Sequence, residues 1–185
     1  MKRFVFLLAA FLLPSFPASA AHWMVDRAKS HLGFTVRWSG EPFVATFKSW
    51  SADIDFDPSD LAHSRVVVTI DLASEASDTP DNDDGLKGPE GFSIAQFPTA
   101  RFETTGFVHK NAEQYVATGK LSLHGITHPV TLPFALKIAG NSAHAAGRAQ
   151  VLRSDFGLGH GEWASSNVIA QMVMIDLQLT ATKAP

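Results

Sequence analysis

Apolar and polar residues alternate with a period of two along most of this chain, as expected for strands that bury one face. Leu32, Phe34, Val36 and Trp38 alternate with Gly33, Thr35 and Arg37. Ser39-Gly40-Glu41-Pro42 supplies a turn. Phe43 to Phe56 reads as one long strand whose phase changes: Phe43, Ala45 and Phe47 share one parity, and Trp50, Ala52, Ile54 and Phe56 the other. Such a flip predicts a bulge or bend near Lys48-Ser49. Before these, His22 to Ser30 predicts a short opening strand. After them come strands over Val66–Leu72, Thr99–Lys110, Glu113–His124, Val130–Ile138, Ala143–Leu152 and Val168–Thr182. Pro133, inside the clearest of these strands, must face a gap in the hydrogen-bond ladder or an edge.

The β pattern lapses over Ser74 to Pro98, where three prolines and several acidic residues predict a short helix near Asp81–Lys87 in an otherwise irregular segment. Arg153 to Trp163 predicts a glycine-rich loop or a single helical turn. The count is about eight strands joined mainly by short turns. The fold class is therefore all-β, an eight-stranded antiparallel barrel of up-and-down order with one helix/loop insertion.

Composition sharpens this picture. Fourteen phenylalanines accompany one tyrosine and no cysteine. Rings at alternating positions suggest a wide apolar interior, which either packs on itself or holds an apolar guest. If it holds a guest, the inward set on the early strands is Phe34, Val36, Phe47, Ile54, Val68 and Ile70. On the later strands it is Phe102, Leu121, Leu123, Phe134, Leu136 and Ile175. Phe92 and Phe97, in the irregular segment, would guard one end.

The first twenty residues read as a secretory signal peptide, leaving one domain from Ala21 to Pro185. Lys2-Arg3 start it, Phe4 to Leu13 form an apolar run too short to span a bilayer, and Ala18-Ser19-Ala20 fits a cleavage site. Export implies a periplasmic location. Without Lys2 and Arg3 the formal charge moves from −3 to −5, which disfavours nucleic acid as a partner. The lack of cysteine leaves no disulfide and no thiolate metal site.

Candidate chemistry is sparse. His124 and His128 flank a turn without an evident third ligand, and His160 with Glu162 is similarly incomplete, so no metal site or cofactor is assigned. Asp81-Asn82-Asp83-Asp84-Gly85 begins like a calcium loop, but its twelfth position is Phe92. No G-x-S-x-G or glycine-rich phosphate cradle occurs. Arg153, Asp155 and His160 form the one polar cluster worth testing for catalysis; a local Arg153–Asp155 salt bridge is the favoured alternative. No catalytic residue is assigned.

Gly119-Lys120-Leu121-Ser122-Leu123-His124-Gly125-Ile126-Thr127-His128-Pro129-Val130-Thr131-Leu132 resembles the G-x-L-T-[LI]-x-G-V-T-x-P-V-x-L signature of the YceI-like family. Phe97-Pro98-Thr99-Ala100-Arg101-Phe102 is similar to its [FY]-P-x-[AI]-x-F segment, and Arg153-Ser154-Asp155-Phe156-Gly157 to its R-x-D-F-G. Val25-Asp26 and Ser30-His31-Leu32-Gly33-Phe34 look like its opening. The resemblance implies an extended lipocalin-like barrel whose tunnel holds a polyisoprenoid or similar lipid in the periplasm. The lipocalins proper match less well, since their G-x-W is missing. Gly85, Gly88, Pro89 and Gly91 weaken the charged helix usual in the family before F-P. Relatives with a similar D-N-D-D-G-L-K-G-P-E run look like partners or fusions of membrane cytochrome b561, which implies a quinone-linked role and a b561-type partner. The competing reading is a non-enzymatic interaction module with a packed core. Association of two barrels into a homodimer stays open.

Overall fold

In the computed structural model, which describes residues 20–185, eleven strands and one α-helix follow each other along the chain. The strands are β1 (His22–Val25), β2 (His31–Trp38), β3 (Glu41–Phe47), β4 (Trp50–Asp55), β5 (Arg65–Asp71) and β6 (Glu75–Ser77). After helix α1 (Pro80–Lys87) come β7 (Thr99–Asn111), β8 (Gln114–Leu123), β9 (Ile126–Ala139), β10 (Ser142–Leu152) and β11 (Met172–Lys183). All pairings are antiparallel. β1 pairs with both β4 and β11, so the ring β1-β4-β5-β7-β8-β9-β10-β11 closes. The proposed signal peptide lies, but for Ala20, outside the described residues.

The eleven strands amount to eight long ones, because three are broken in the middle. β3 and β4 are one strand bent at Lys48-Ser49, and the parity flip read from the sequence is the bend's consequence: Phe43 and Ala45 are buried before it, Trp50, Ile54 and Phe56 after it. The opening segment, expected as one strand to Ser30, is instead interrupted by a 3₁₀ turn at Arg27–Lys29. The Asp26 carboxylate accepts from the Ala28 amide and starts that turn. Residues 75–77, expected in the irregular segment, form β6 and pair with β3. Phe102 and Phe107 have opposite parity, and a register shift between Thr104 and Gly106 brings both to the inside.

The ring is incomplete toward one end. β9 pairs with β10 only from Phe134↔Gly147 to Ala139↔Ser142. The ladder therefore stops one residue past Pro133, which meets the expectation that this proline faces a gap. On the other side of the barrel β6 and β7 do not pair, and α1 with the loop after it fills the space between them. This end carries a cap made of α1, residues 88–97 and residues 153–170. The two halves of the cap are joined by the Gly159 amide donating to the Glu90 carbonyl and by Trp163. The Trp163 ring meets Trp38 edge-on at 5.0 Å and lies so close to Gly85 that a Cβ there would sit 2.9 Å from it. Gly85 costs α1 helix propensity, but it makes the room that Trp163 needs.

Two buried charged groups organise the cap. Arg153 is 5% exposed, and its guanidinium donates to the carbonyls of Leu158, Gly159, Ala164, Ile169 and Ala170. The expected Arg153–Asp155 salt bridge does not form: Asp155 is exposed, and among the described residues no carboxylate pairs with Arg153. The planar fork instead satisfies carbonyls that a loop without regular structure would otherwise leave unpaired. Glu75 is 2% exposed, on the inner face opposite Phe47, with no donor for either carboxyl oxygen. Burial, and then the nearby Asp83 charge, push its pKa up to about 7; Lys87 opposes weakly. For Asp83, on α1, burial works to raise the pKa, but hydrogen bonds from the Ser77 hydroxyl and amide hold it below the usual carboxylate value.

Removing the guanidinium strands its carbonyls. Arg153→Met is expected to cost roughly 3 kcal/mol, about 6–12 °C in Tm for a domain of this size. Lysine should restore little of it, because a point charge reaches fewer of the carbonyls. A raised carboxyl pKa stabilises the fold fully below the unfolded value near 4.5 and loses that contribution as pH rises through about 7. Thermal melts should therefore show Tm falling between about pH 4.5 and pH 7, and Glu75→Gln should flatten that slope.

Candidate functional site: an apolar bore

The inside of a barrel this size is ordinarily just filled by side chains. Here two cavities remain. One, of about 120 Å³, lies at the capped end, with walls from β2, β3, β5, β7, β8, β10, β11 and the cap. The other, of about 170 Å³, occupies the middle and the far end. Leu32, Ile70, Leu121 and Ile175 line both, so the two cavities adjoin across an aliphatic waist along the barrel's bore. The walls are apolar except for Glu90 and Arg153 at the cap and Thr104 in the far cavity.

The origin of this space is a row of small residues. The inward positions of β10 are Ala143, Ala145, Gly147, Ala149 and Val151, and outward ones such as His144, Arg148 and Gln150 are exposed. Gly147 pairs with Phe134, and a Cβ on Gly147 would approach Phe134 Cβ to 2.7 Å. On β8 the inward residues include Ala117 and Gly119, and the Phe102 ring lies over Gly119. Large rings thus lean into room left by missing side chains. They gather in two groups. Phe34, Phe43, Phe47 and Phe92 meet at centroid distances of 5.8–6.2 Å beneath the cap. Phe56, Phe107, Tyr115 and Phe134 meet at 5.2–6.4 Å toward the opposite end. Aliphatic side chains fill the stretch between.

Of the side chains expected to face a guest, Phe34, Val36, Phe47, Phe92 and Leu123 line the capped cavity. Ile54, Val68, Phe102, Phe134 and Leu136 line the other, and Ile70, Leu121 and Ile175 both. Phe97 lines neither: its ring lies against Gly125 and 4.7 Å from His124, outside the bore. The alanines and glycine of β10 were not among the expected residues, although their period-two spacing is visible in the sequence. Leu86, Leu158 and Trp163 also line the capped cavity, carried there by α1 and by the segment after β10, where the period of two is lost.

Polar chemistry does not converge on the bore. Arg153 is committed to carbonyls, while Asp155 and His160 are exposed, and no hydrogen bond joins the three among the described residues. His124 sits beside Phe97 and His160, and His128 beside Phe156, so the two histidines of the turn face different neighbours. His22, Asp53 and Asp55 cluster on the outside with Arg65, as a solvated ion-pair network. The Asp81–Gly85 run lies within α1.

Comparison with known proteins agrees with this architecture. The family model of the YceI-like domain matches residues 23–181. A UPF0312 protein of Vibrio campbellii is 32% identical over 155 residues, covering 80% of this chain and 82% of its own length. Among solved structures, Burkholderia cenocepacia BcnA superposes with a TM-score of 0.82 at 31% identity, covering 86% of this chain and 100% of BcnA. A polyisoprenoid binding domain from Saccharophagus degradans implicated in plant cell wall breakdown shares the fold at a TM-score of 0.68 and 17% identity, covering 89% of this chain and 99% of that domain. The closed barrel, its single short helix and the match across nearly all of the described residues agree: this chain belongs to the YceI-like family.

Proposed function

We propose that this protein is a periplasmic binding and carrier protein that holds a polyisoprenoid or comparable long-chain lipid, an isoprenoid quinone included, in its bore, without chemistry on the ligand. The observation that carries this reading is the pair of apolar cavities that adjoin across the Leu32–Ile70–Leu121–Ile175 waist inside a closed barrel. A similar fold in a polyisoprenoid binding domain supports it.

Magnitudes are consistent with such a ligand. Each methylene moved from water into a dry apolar site contributes roughly 0.8 kcal/mol. A micromolar to nanomolar complex needs about 8–12 kcal/mol net. Ten or more buried carbons reach that range before ordering costs, without a strong polar contact. An apolar cavity of about 150 Å³ takes one benzene ring. Each cavity here is of that order, so each accommodates about one isoprene unit as it stands. A longer chain must displace ring side chains, and the Phe34–Phe47–Phe92 group beneath the cap is the one placed to swing aside.

Organic extraction of the protein purified from its own periplasm, read by mass spectrometry, should yield a long apolar molecule in near-stoichiometric amount; a clean ligand-free mass would defeat the reading. Ala145→Phe fills the far cavity from its small wall. It should cut extractable lipid about tenfold or more while the barrel's circular dichroism is kept, at an overpacking cost of roughly 1–3 kcal/mol. Unchanged lipid content in that variant would place the ligand elsewhere.

A further inference from the structure

The bore has a thin place in its side. Past Phe134↔Gly147, β9 and β10 separate, although each keeps its other neighbour: β8 pairs with β9 from Gln114↔Ala135 to Leu123↔Ile126, and β10 with β11 through Leu152↔Met172. The separation is therefore a local seam and not fraying of the sheet. Pro129 and Pro133 both lie on the separated part of β9, and the β8 ladder runs unbroken across both. Their missing N–H groups therefore belong to the edge that faces the seam. A sheet protects an unpaired edge with proline in this way.

One side chain closes the seam. The chain leaves β10 through the 3₁₀ turn Arg153–Phe156 and stops it at Gly157, in the left-handed region at φ +64°. That turn drops Phe156 into the gap, where it is 1% exposed, packs with Leu121, Val130 and Ala149, and meets the His128 ring at 5.4 Å. Outside lies a groove of about 230 Å³, flanked by the half-exposed Leu152 and Met172 and bordered by the polar His128, Gln150 and Asp155. The groove and the bore share walls: Phe156 and Val151 also line the capped cavity, and Val130 the far one. Of two further unpaired places, the one between β6 and β7 is covered by a whole helix and its loop, and the other is the edge of β7 beyond Glu103 at the far end.

We propose that the β9–β10 seam is a lateral portal, with Phe156 as its door and the outer groove as a transit subsite for the hydrocarbon chain of the ligand. This rests on the lipid-binding reading above. The ring swings out toward Leu152 and Met172, and the chain slides between Val130 and Val151 into the bore. No backbone hydrogen bond between β9 and β10 has to break, because none is made there. Arg153 is the positioning residue of the door: it ties the turn that carries Phe156 to the carbonyls of the cap.

The absence of cysteine makes the test direct. Leu152→Cys, labelled with a bulky maleimide, obstructs the groove; Asp84→Cys on the exposed face of α1, labelled alike, obstructs the cap side. Uptake of a pyrene-labelled long-chain prenyl alcohol is followed by stopped-flow fluorescence. The groove label should slow uptake about tenfold or more, as blocked gates do, with the final amount bound unchanged. The α1 label should leave the rate as it is. Phe156→Leu, a smaller door, should speed both uptake and release. Binding with the rate slowed only by the α1 label, or by neither label, overturns the portal and leaves the carrier reading standing. A probe that never binds the unlabelled protein overturns both.

Discussion

Everything in this molecule turns on how much side-chain volume points inward. An eight-stranded ring has a fixed circumference, and with ordinary residues on every strand its interior is full. This chain spends its inward positions unevenly. β10 contributes little beyond methyl groups and a glycine, while the strands around it carry phenylalanine, leucine and isoleucine. The rings collect mainly at the two ends, with aliphatic side chains at the waist, and the surplus space stays as two apolar cavities on either side of it. Closure of the ring matters as much as its content. Because β1 reaches both β4 and β11, the sheet closes into a ring, and the far cavity is walled almost wholly by apolar side chains.

Much of this was legible in the sequence because period-two patterning is a local property. The bend at Lys48-Ser49 could be read from the parity of Phe43 against Trp50, and the gap beside β9 from Pro133 alone. Most inward side chains followed from alternation as well. What escaped was decided by partners distant in sequence. Arg153 next to Asp155 looks like a local ion pair, but its true partners are carbonyls up to seventeen residues on, in a segment with no periodicity. Phe97 shares its motif with Phe102, yet the turn at His124-Gly125 takes it out of the bore. Glu75 sits in a stretch that reads as irregular, and only the short pairing with Phe47 turns it inward. The small wall of β10 was in plain view. Its small residues carry no mark of a binding surface in the sequence, because a cavity is made by side chains that are missing.

The R-x-D-F-G run illustrates how a short motif can be mechanical instead of chemical. Its arginine fastens the cap, its phenylalanine fills the space between β9 and β10, and its glycine ends the turn that connects them. Its aspartate is exposed and borders the outer groove.

The pairing pattern also divides the barrel lengthwise by stiffness. At the far end β1 ties β4 to β11 and β10 keeps both β9 and β11, while β7 beyond Glu103 pairs with β8 alone. At the capped end the sheet parts in two places, leaving two flaps bridged by a helix and a single aromatic ring. Such a body behaves like a clothes-peg, rigid at the spring and compliant at the jaws. On the carrier reading proposed above, such jaws would admit cargoes of different girth, and selectivity would be for length and oiliness more than for outline.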